Sequence, residues 1–325
     1  MSLRLLAWSA LALLGAVLPW IASDYYIDVA SQVLIYAIFA LGLNVLVGYA
    51  GLVSLGHAGI FGVAAYAAAW LVAAGFGHLP AALAALVAIV LVSALYALLS
   101  LRATGIGFLM ITLAIGQILW GLAYRWIDVT GGDNGISVPS RPAPFGLSLM
   151  SAPSFYGFTV LVFLLAVLSM SGFVRSPFGA SLKGTRDQPR RMTALGYNVW
   201  CIRFAAFLFS GFWSGVAGLL FCYDEQFVSP GMLTLGSSAE VLLMVIAGGS
   251  GTLAGPVVGA ALVVIMKNVA SAYIVRWNLV LGIIFVAIVM FMPEGLVPGS
   301  ARLARWAYAE WQRRRRAPAA LGSER

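Results

Sequence analysis

Charge is scarce in this sequence. Asp, Glu, Lys and Arg make up 9% of its 325 residues, and 62% of the chain is hydrophobic. A soluble domain carries about 25% charged residues, so a soluble enzyme or a nucleic-acid-binding fold is excluded. Cysteine is nearly absent too. Cys201 and Cys222 stand at opposite ends of one apolar run, where they cannot meet, so no disulfide or thiolate metal framework is expected. There are two histidines, His57 and His78, and no Ser/His/Asp or His/Glu cluster in the apolar runs. No enzyme activity, cofactor or metal site is therefore expected. No GxxxxGK[ST] phosphate loop occurs, so ATP chemistry, if used, belongs to another chain. Ionisable residues at bilayer depth are few, which counts against a proton- or sodium-coupled carrier or a channel.

Long apolar runs are what the chain has instead. Runs at 3–20, 29–47, 81–101, 103–124, 154–174, 204–223 and 256–274 are each about 20 residues long, enough to cross roughly 30 Å of hydrocarbon. With shorter runs at 237–247 and 278–292 and a third span after a glycine-rich stretch, they predict an all-α integral membrane protein. The expected fold is a polytopic bundle of about ten transmembrane helices with both termini cytoplasmic. The net charge of +8 is concentrated: residues 175–203 hold six basic residues and one acid, and 302–325 hold seven Arg and two Glu. Lys and Arg are retained on the cytoplasmic side, which places both stretches inside. Asp24, Asp28, the 125–153 segment and the 223–236 loop then fall outside. The division is a transmembrane domain at 1–300 and a basic cytoplasmic tail at 301–325, the tail lying near anionic lipid. A cleaved signal peptide competes with a first span at 3–20; an uncleaved span is expected. Lys267 is expected to snorkel.

Three kinds of stretch stand apart from the spans. The basic loop 175–203 looks folded: Asp187 is a good N-cap, Pro189 suits a first turn, and Gly196 can close a helix in the left-handed conformation. A helix at about 188–195 follows, with Met192 and Leu195 on one face. It either rests Arg190 and Arg191 on lipid headgroups or docks a cytoplasmic partner. The second stretch is glycine-rich, 48–66, with Gly51, Ser54, Gly56, His57 and Gly59. A helix broken at membrane depth must face protein or a water-filled cavity. His57 is either a packing residue or part of a pathway. A second break at 248–259 holds Gly249, Gly251, Gly255 and Pro256. It superficially matches a dinucleotide fingerprint, but no strand precedes it. Each break follows an inward span and precedes an outward one, the pattern of an internal repeat beside a transport path. The third stretch is 125–153, where TGGDNGI (130–136) marks turns; an irregular segment of this length is usually functional.

GLVSLGHAG (51–59) followed by FGVAAY (61–66) resembles the hallmark of the branched-chain amino-acid ABC transporter permeases, and more narrowly their M-type subunit. The resemblance runs from about residue 30 to 296 through TGGDNGI, RDQ with ALGYNV (186–188, 194–199), VSPG (228–231), GGSGTLAGP (248–256) and PEGL (293–296). Gln188 stands where an acid is common, and Met292 where an Arg often precedes PEGL, so pairings through those positions are absent. The resemblance implies an importer subunit of a bacterial inner membrane. Its partners would be a second permease subunit, two cytoplasmic ATP-binding subunits and a periplasmic substrate-binding protein. It implies coupling to the ATPase through Arg186, Asp187, Arg190, Arg191, Met192, Leu195 and Gly196. Gly131, Gly132, Asp133, Asn134, Ser229 and Pro230 would meet the binding protein. Branched-chain amino acids are the implied cargo; urea, short amides and other amino acids are carried by related systems.

Overall fold

The computed structural model describes residues 23–138, 140–142, 149–273, 277–300 and 302. The run expected at 3–20 lies outside the described residues, as does the tail except for Arg302. The described chain is helical apart from one two-stranded ladder. In order the helices are α1 (Asp24–Asn44, continued by a π turn Val45–Ala50), α2 (His57–Ala73), α3 (His78–Ser100), α4 (Ile106–Arg125), α5 (Ile127–Thr130), α6 (Ala152–Arg175), α7 (Pro177–Asp187), α8 (Pro189–Ala194), α9 (Val199–Glu225), α10 (Leu235–Gly248), α11 (Ala254–Tyr273) and α12 (Trp277–Phe291). Among the described residues, six helical segments are long and apolar enough to cross a membrane: 24–50, 78–100, 106–125, 152–175, 199–225 and 254–273. Three shorter apolar helices accompany them, at 57–73, 235–248 and 279–288. The result is an all-helical, polytopic bundle.

The first of these segments is the axis. Of its apolar window 78% is buried, against 22–56% in the other five. It is apolar on every side, as a helix must be when neighbours surround it, and it packs against α6, α9, α10 and α11. α9 lies close because its facing residues are small. A Cβ on Gly42 of α1 would stand 2.7 Å from Ser214 Oγ. On other faces of α9, Gly211 meets Ser93 of α3 and Gly218 meets the backbone of Phe61 in α2. Lipid tails are as apolar as Leu, so such close contact, rather than apolar burial, holds membrane helices together.

One end of the bundle carries α7 and α8, the other the ladder, and both depart from expectation. α7 was not expected. Ser176 caps it, accepting from Gly179 N at 3.2 Å, and Pro177 occupies its first turn, where the missing N–H does no harm. Asp187 therefore ends α7 instead of capping the next helix. Gln188 precedes α8, which is shorter than the expected 188–195. Gly196 does close it, at φ +86, with Gly196 N bonding Thr193 O and Tyr197 N bonding Met192 O. At the ladder end the 125–153 segment is less irregular than expected. α5 and a 3-10 turn (Gly132–Asn134) lead into β1 (Ile136–Ser137), which pairs antiparallel with β2 (Phe227–Val228). His78 is the first residue of α3 and reaches Ser140 Oγ at 3.0 Å.

Candidate functional site

The two glycine-rich breaks are brought together. The π turn ends at Gly51, φ +71, and the chain runs without helix to Gly56 before α2 resumes. Across the bundle, α10 ends at Gly249 and α11 begins at Ala254. Asn44, the last residue of α1, joins them: its Nδ2 donates to Thr252 O at 2.9 Å, and its Oδ1 accepts from Gly251 N at 2.9 Å. The backbones approach so closely that a Cβ on Gly48 would collide with the Gly251 nitrogen and Asn44 Oδ1. Thr252 Oγ1 braces the second break, donating to Gly249 O at 2.8 Å and accepting from Gly255 N at 3.0 Å. Gly255 and Pro256 are buried at the start of α11. The PEGL segment seats against this turn. A Cβ on Gly249 would stand 2.6 Å from Pro298 Cδ, and Gly295 lies on Gly249 itself.

His57 is a buried hub beside the first break. Its Nδ1 lies 2.8 Å from Ser54 Oγ and its Nε2 3.0 Å from Ser210 Oγ. Ser210 donates its one proton to Gly42 O at 2.6 Å, so it must accept from His57, which places the imidazole hydrogen on Nε2. Nδ1 then accepts from Ser54. Both nitrogens are satisfied and the ring is 1% exposed. Of the two readings open for His57, its surroundings are those of a packing residue. Ser54 and Gly59 are likewise buried, and Gly56 is seated against Thr112 and Tyr96.

The basic loop touches the first break directly. Arg186 donates from Nη1 to Gly48 O, and its stem lies over Gly51. One turn earlier, Lys183 sits 5.4 Å from the Tyr49 ring centroid. Arg203 at the start of α9 donates to Thr185 O at 3.2 Å. Arg186 thus faces the bundle through these contacts, beside Asp187 at the end of α7. Met192 is turned inward too: a Cβ on Gly184 would stand 2.7 Å from its sulfur. The expected two-residue apolar face on α8 is therefore reduced to Leu195, 64% exposed, with Arg190 and Arg191 exposed around it.

At the ladder end, Gly131, Gly132 and Gly135 all hold positive φ and shape the turn before β1. Asp133 and Asn134 are exposed, whereas Gly132 and Pro230 are buried and Ser229 half-buried. Arg141 pins this segment to α9, donating to Tyr223 O and Asp224 O at 3.1 Å each, with its guanidinium 4.6 Å from the Phe155 ring centroid.

Sequence reasoning missed several of these residues. Asn44 left a signal, a lone amide in an apolar run four residues before Gly48. Ser210 left none. Lys267, expected to snorkel, instead pairs with Glu240 at 3.8 Å, because α10 and α11 pack as neighbours and bring the two together.

The profile of the family described as branched-chain amino acid transport system / permease component matches residues 25–289. The chain belongs to this permease family. The match takes in both breaks, Asn44 and the whole basic loop. The permease is 32% identical over 316 residues to the high-affinity branched-chain amino acid transport system permease protein LivM of Salmonella typhimurium, covering 89% of this chain and 74% of that protein. The LivM protein of Escherichia coli shows the same 32% over 319 residues, with the same coverage. A probable LivM from Methanocaldococcus jannaschii is 24% identical over 203 residues, covering 57% of the permease and 58% of that protein. No solved structure matches. The described helices and the family agree on a multi-pass membrane protein of the ABC transport permease class.

Proposed function

We propose that this permease is the membrane subunit of an ATP-driven importer that carries branched-chain amino acids across a bacterial inner membrane. It crosses about ten times, with both termini and the α7–α8 loop on the cytoplasmic side. The chain lacks a phosphate loop, so two separate ATP-binding subunits dock beneath α8. A second permease subunit completes the path. A periplasmic binding protein delivers cargo to the ladder end, touching Asp133 and Asn134.

The observation that carries this reading is the contact of Arg186 with Gly48 and Gly51. It joins the loop suited to a cytoplasmic motor to a broken helix at the centre of the bundle. A push on α8 is relayed through the short turn at Gln188 to α7, and from α7 to the first break. Asn44 passes it to the second break, on which PEGL is seated. Moving two breaks together is a means of opening and closing a path without unfolding any helix, since the irregular backbone is already satisfied by protein.

The test is reconstitution of the complex in proteoliposomes with ATP inside and binding protein outside. Labelled leucine should accumulate only when all four components and ATP are present. Leucine entry without ATP would refute the reading. ATP-dependent entry of urea or a short amide, with none of leucine, would reassign the cargo.

A further inference from the structure

The first break leaves a hydrogen-bond donor and an acceptor unused beside one glycine. The donor is Tyr96 of α3. Its side chain is fully buried, and its hydroxyl has no hydrogen-bond partner among the described residues. The ring is held firmly: it stacks on Phe207 of α9 at 6.2 Å, and a Cβ on Gly56 would stand 2.7 Å from its Cε1. The hydroxyl fills the place that a side chain on Gly59 of α2 would take. The acceptor is Leu55, in the break. Its N–H donates to Thr112 Oγ1 of α4 at 3.3 Å, whereas its carbonyl accepts no hydrogen bond among the described residues. The glycine is Gly116 of α4. A Cβ there would stand 3.6 Å from Tyr96 Oη and 3.8 Å from Leu55 O.

Stacking on Phe207 and filling the space between α2 and α4 need only the ring. A buried tyrosine hydroxyl ordinarily finds a partner, and one without a partner carries a cost that phenylalanine in the same place would avoid. What the oxygen adds is a bond available in another arrangement of the same residues. The Leu55 carbonyl is suited to supply it. Thr112 anchors the N–H of Leu55, and the next residue is Gly56, whose φ is free to change. Rotation of the Leu55–Gly56 peptide therefore turns the carbonyl while the anchor holds. Gly116 carries no side chain to obstruct the approach.

We propose that Tyr96 is a positioning residue for transport: its hydroxyl donates to the Leu55 carbonyl in the conformation that alternates with this one, and so holds the first break in its displaced position. The bond is open here and closed there. A group shifts an equilibrium only if it interacts differently with the two states, and this hydroxyl does so in two ways. Closing the bond makes one hydrogen bond and relieves one unpartnered group. The first break then has a handle at each end. Arg186 grips it at Gly48 and Gly51, and Tyr96 catches it at Leu55, on the side of α3 and α4.

This inference rests on the ATP-driven cycle proposed above, and the experiment keeps the two apart. Tyr96→Phe retains the ring and removes only the oxygen. Variant and wild type are compared in two ways: as the complete importer in proteoliposomes, by ATP hydrolysis and labelled leucine uptake, and as the purified permease, by SDS titration in mixed micelles. The variant should unfold at the same SDS as the wild type or higher, because this conformation loses only an unpartnered group. Hydrolysis and uptake should fall together by about three- to tenfold, the effect of removing one hydrogen bond from the displaced state. A tyrosine that only fills space would not give this combination of kept stability and slowed turnover. Unfolding at lower SDS would show that the hydroxyl is already bonded in this conformation, and would overturn the proposal. Wild-type rates of hydrolysis and uptake would overturn it as well. Absence of ATP hydrolysis and uptake in the wild-type complex would instead refute the proposed function, and the SDS comparison would still test Tyr96.

Discussion

Gly48→Ala is the most direct perturbation of the junction between the two breaks. The added Cβ would collide with the Gly251 nitrogen and Asn44 Oδ1, and would stand 2.7 Å from Gly251 Cα. Two of these three atoms are backbone and cannot swing aside. Overpacking of this kind costs about 1–3 kcal/mol. The two Asn44 bonds to Thr252 O and Gly251 N are strained by the same shift, at about 0.5–1.5 kcal/mol each. Replacing a helical Gly by Ala returns at most about 1 kcal/mol. The net expected loss is about 1–6 kcal/mol. Gly157 in α6 is the control, because a Cβ there meets nothing within 4 Å; Gly157→Ala should be neutral or slightly stabilising. Both variants would be unfolded reversibly by titrating SDS into mixed micelles, with leucine uptake measured in parallel. Gly48→Ala should unfold at lower SDS and transport poorly. Indistinguishable curves for the two variants would refute the close-approach argument and with it the mechanical link between the breaks.

Other outcomes follow from the loop and the ladder. Leu195→Asp removes the exposed apolar group on α8, worth roughly 1.5–3 kcal/mol when buried by a partner, and should release the ATP-binding subunits on co-purification. Arg191→Ala should be mild, since exposed charges contribute about 0–1 kcal/mol; the reverse ranking would make docking electrostatic. Arg186→Ala should leave the ATP-binding subunits attached but abolish the stimulation of ATP hydrolysis by loaded binding protein, with Arg186→Lys restoring part of it. Loss of the subunits themselves from Arg186→Ala would show that it docks the partner instead of the break. A photo-crosslinker at Asn134 should capture the binding protein during turnover, and capture of no partner would remove the ladder end from that interface.

Much of this architecture was legible in the residues alone. Hydrocarbon accepts only backbone that bonds to itself, so apolar runs of about 20 residues must be helices. For that reason 81–101, 154–174 and 256–274 lie within a few residues of the observed helices. The breaks were legible because glycine at such density cannot be explained by helix formation, and the end of α8 because Gly196 suits the left-handed closure found there. Sequence also carried the family, through short motifs of which GLVSLGHAG, GGSGTLAGP and PEGL lie at the packed breaks. What tertiary structure decided was partnership. Asn44 and Gly251 are joined across more than 200 residues, and nothing local to either foretells the other. α7 was hidden because its core contacts, Leu182 and Thr185, are too few to show a period. Arg186 and Met192 read as surface residues until α7 turned the first toward Gly48 and received the second against its own Gly184. Lys267 read as a lone snorkelling charge, and only the packing of α10 on α11 paired it with Glu240. Short-range chemistry determines where a helix starts, breaks and stops; which breaks and charges meet depends on how whole helices pack, and that information is spread over every small residue between them.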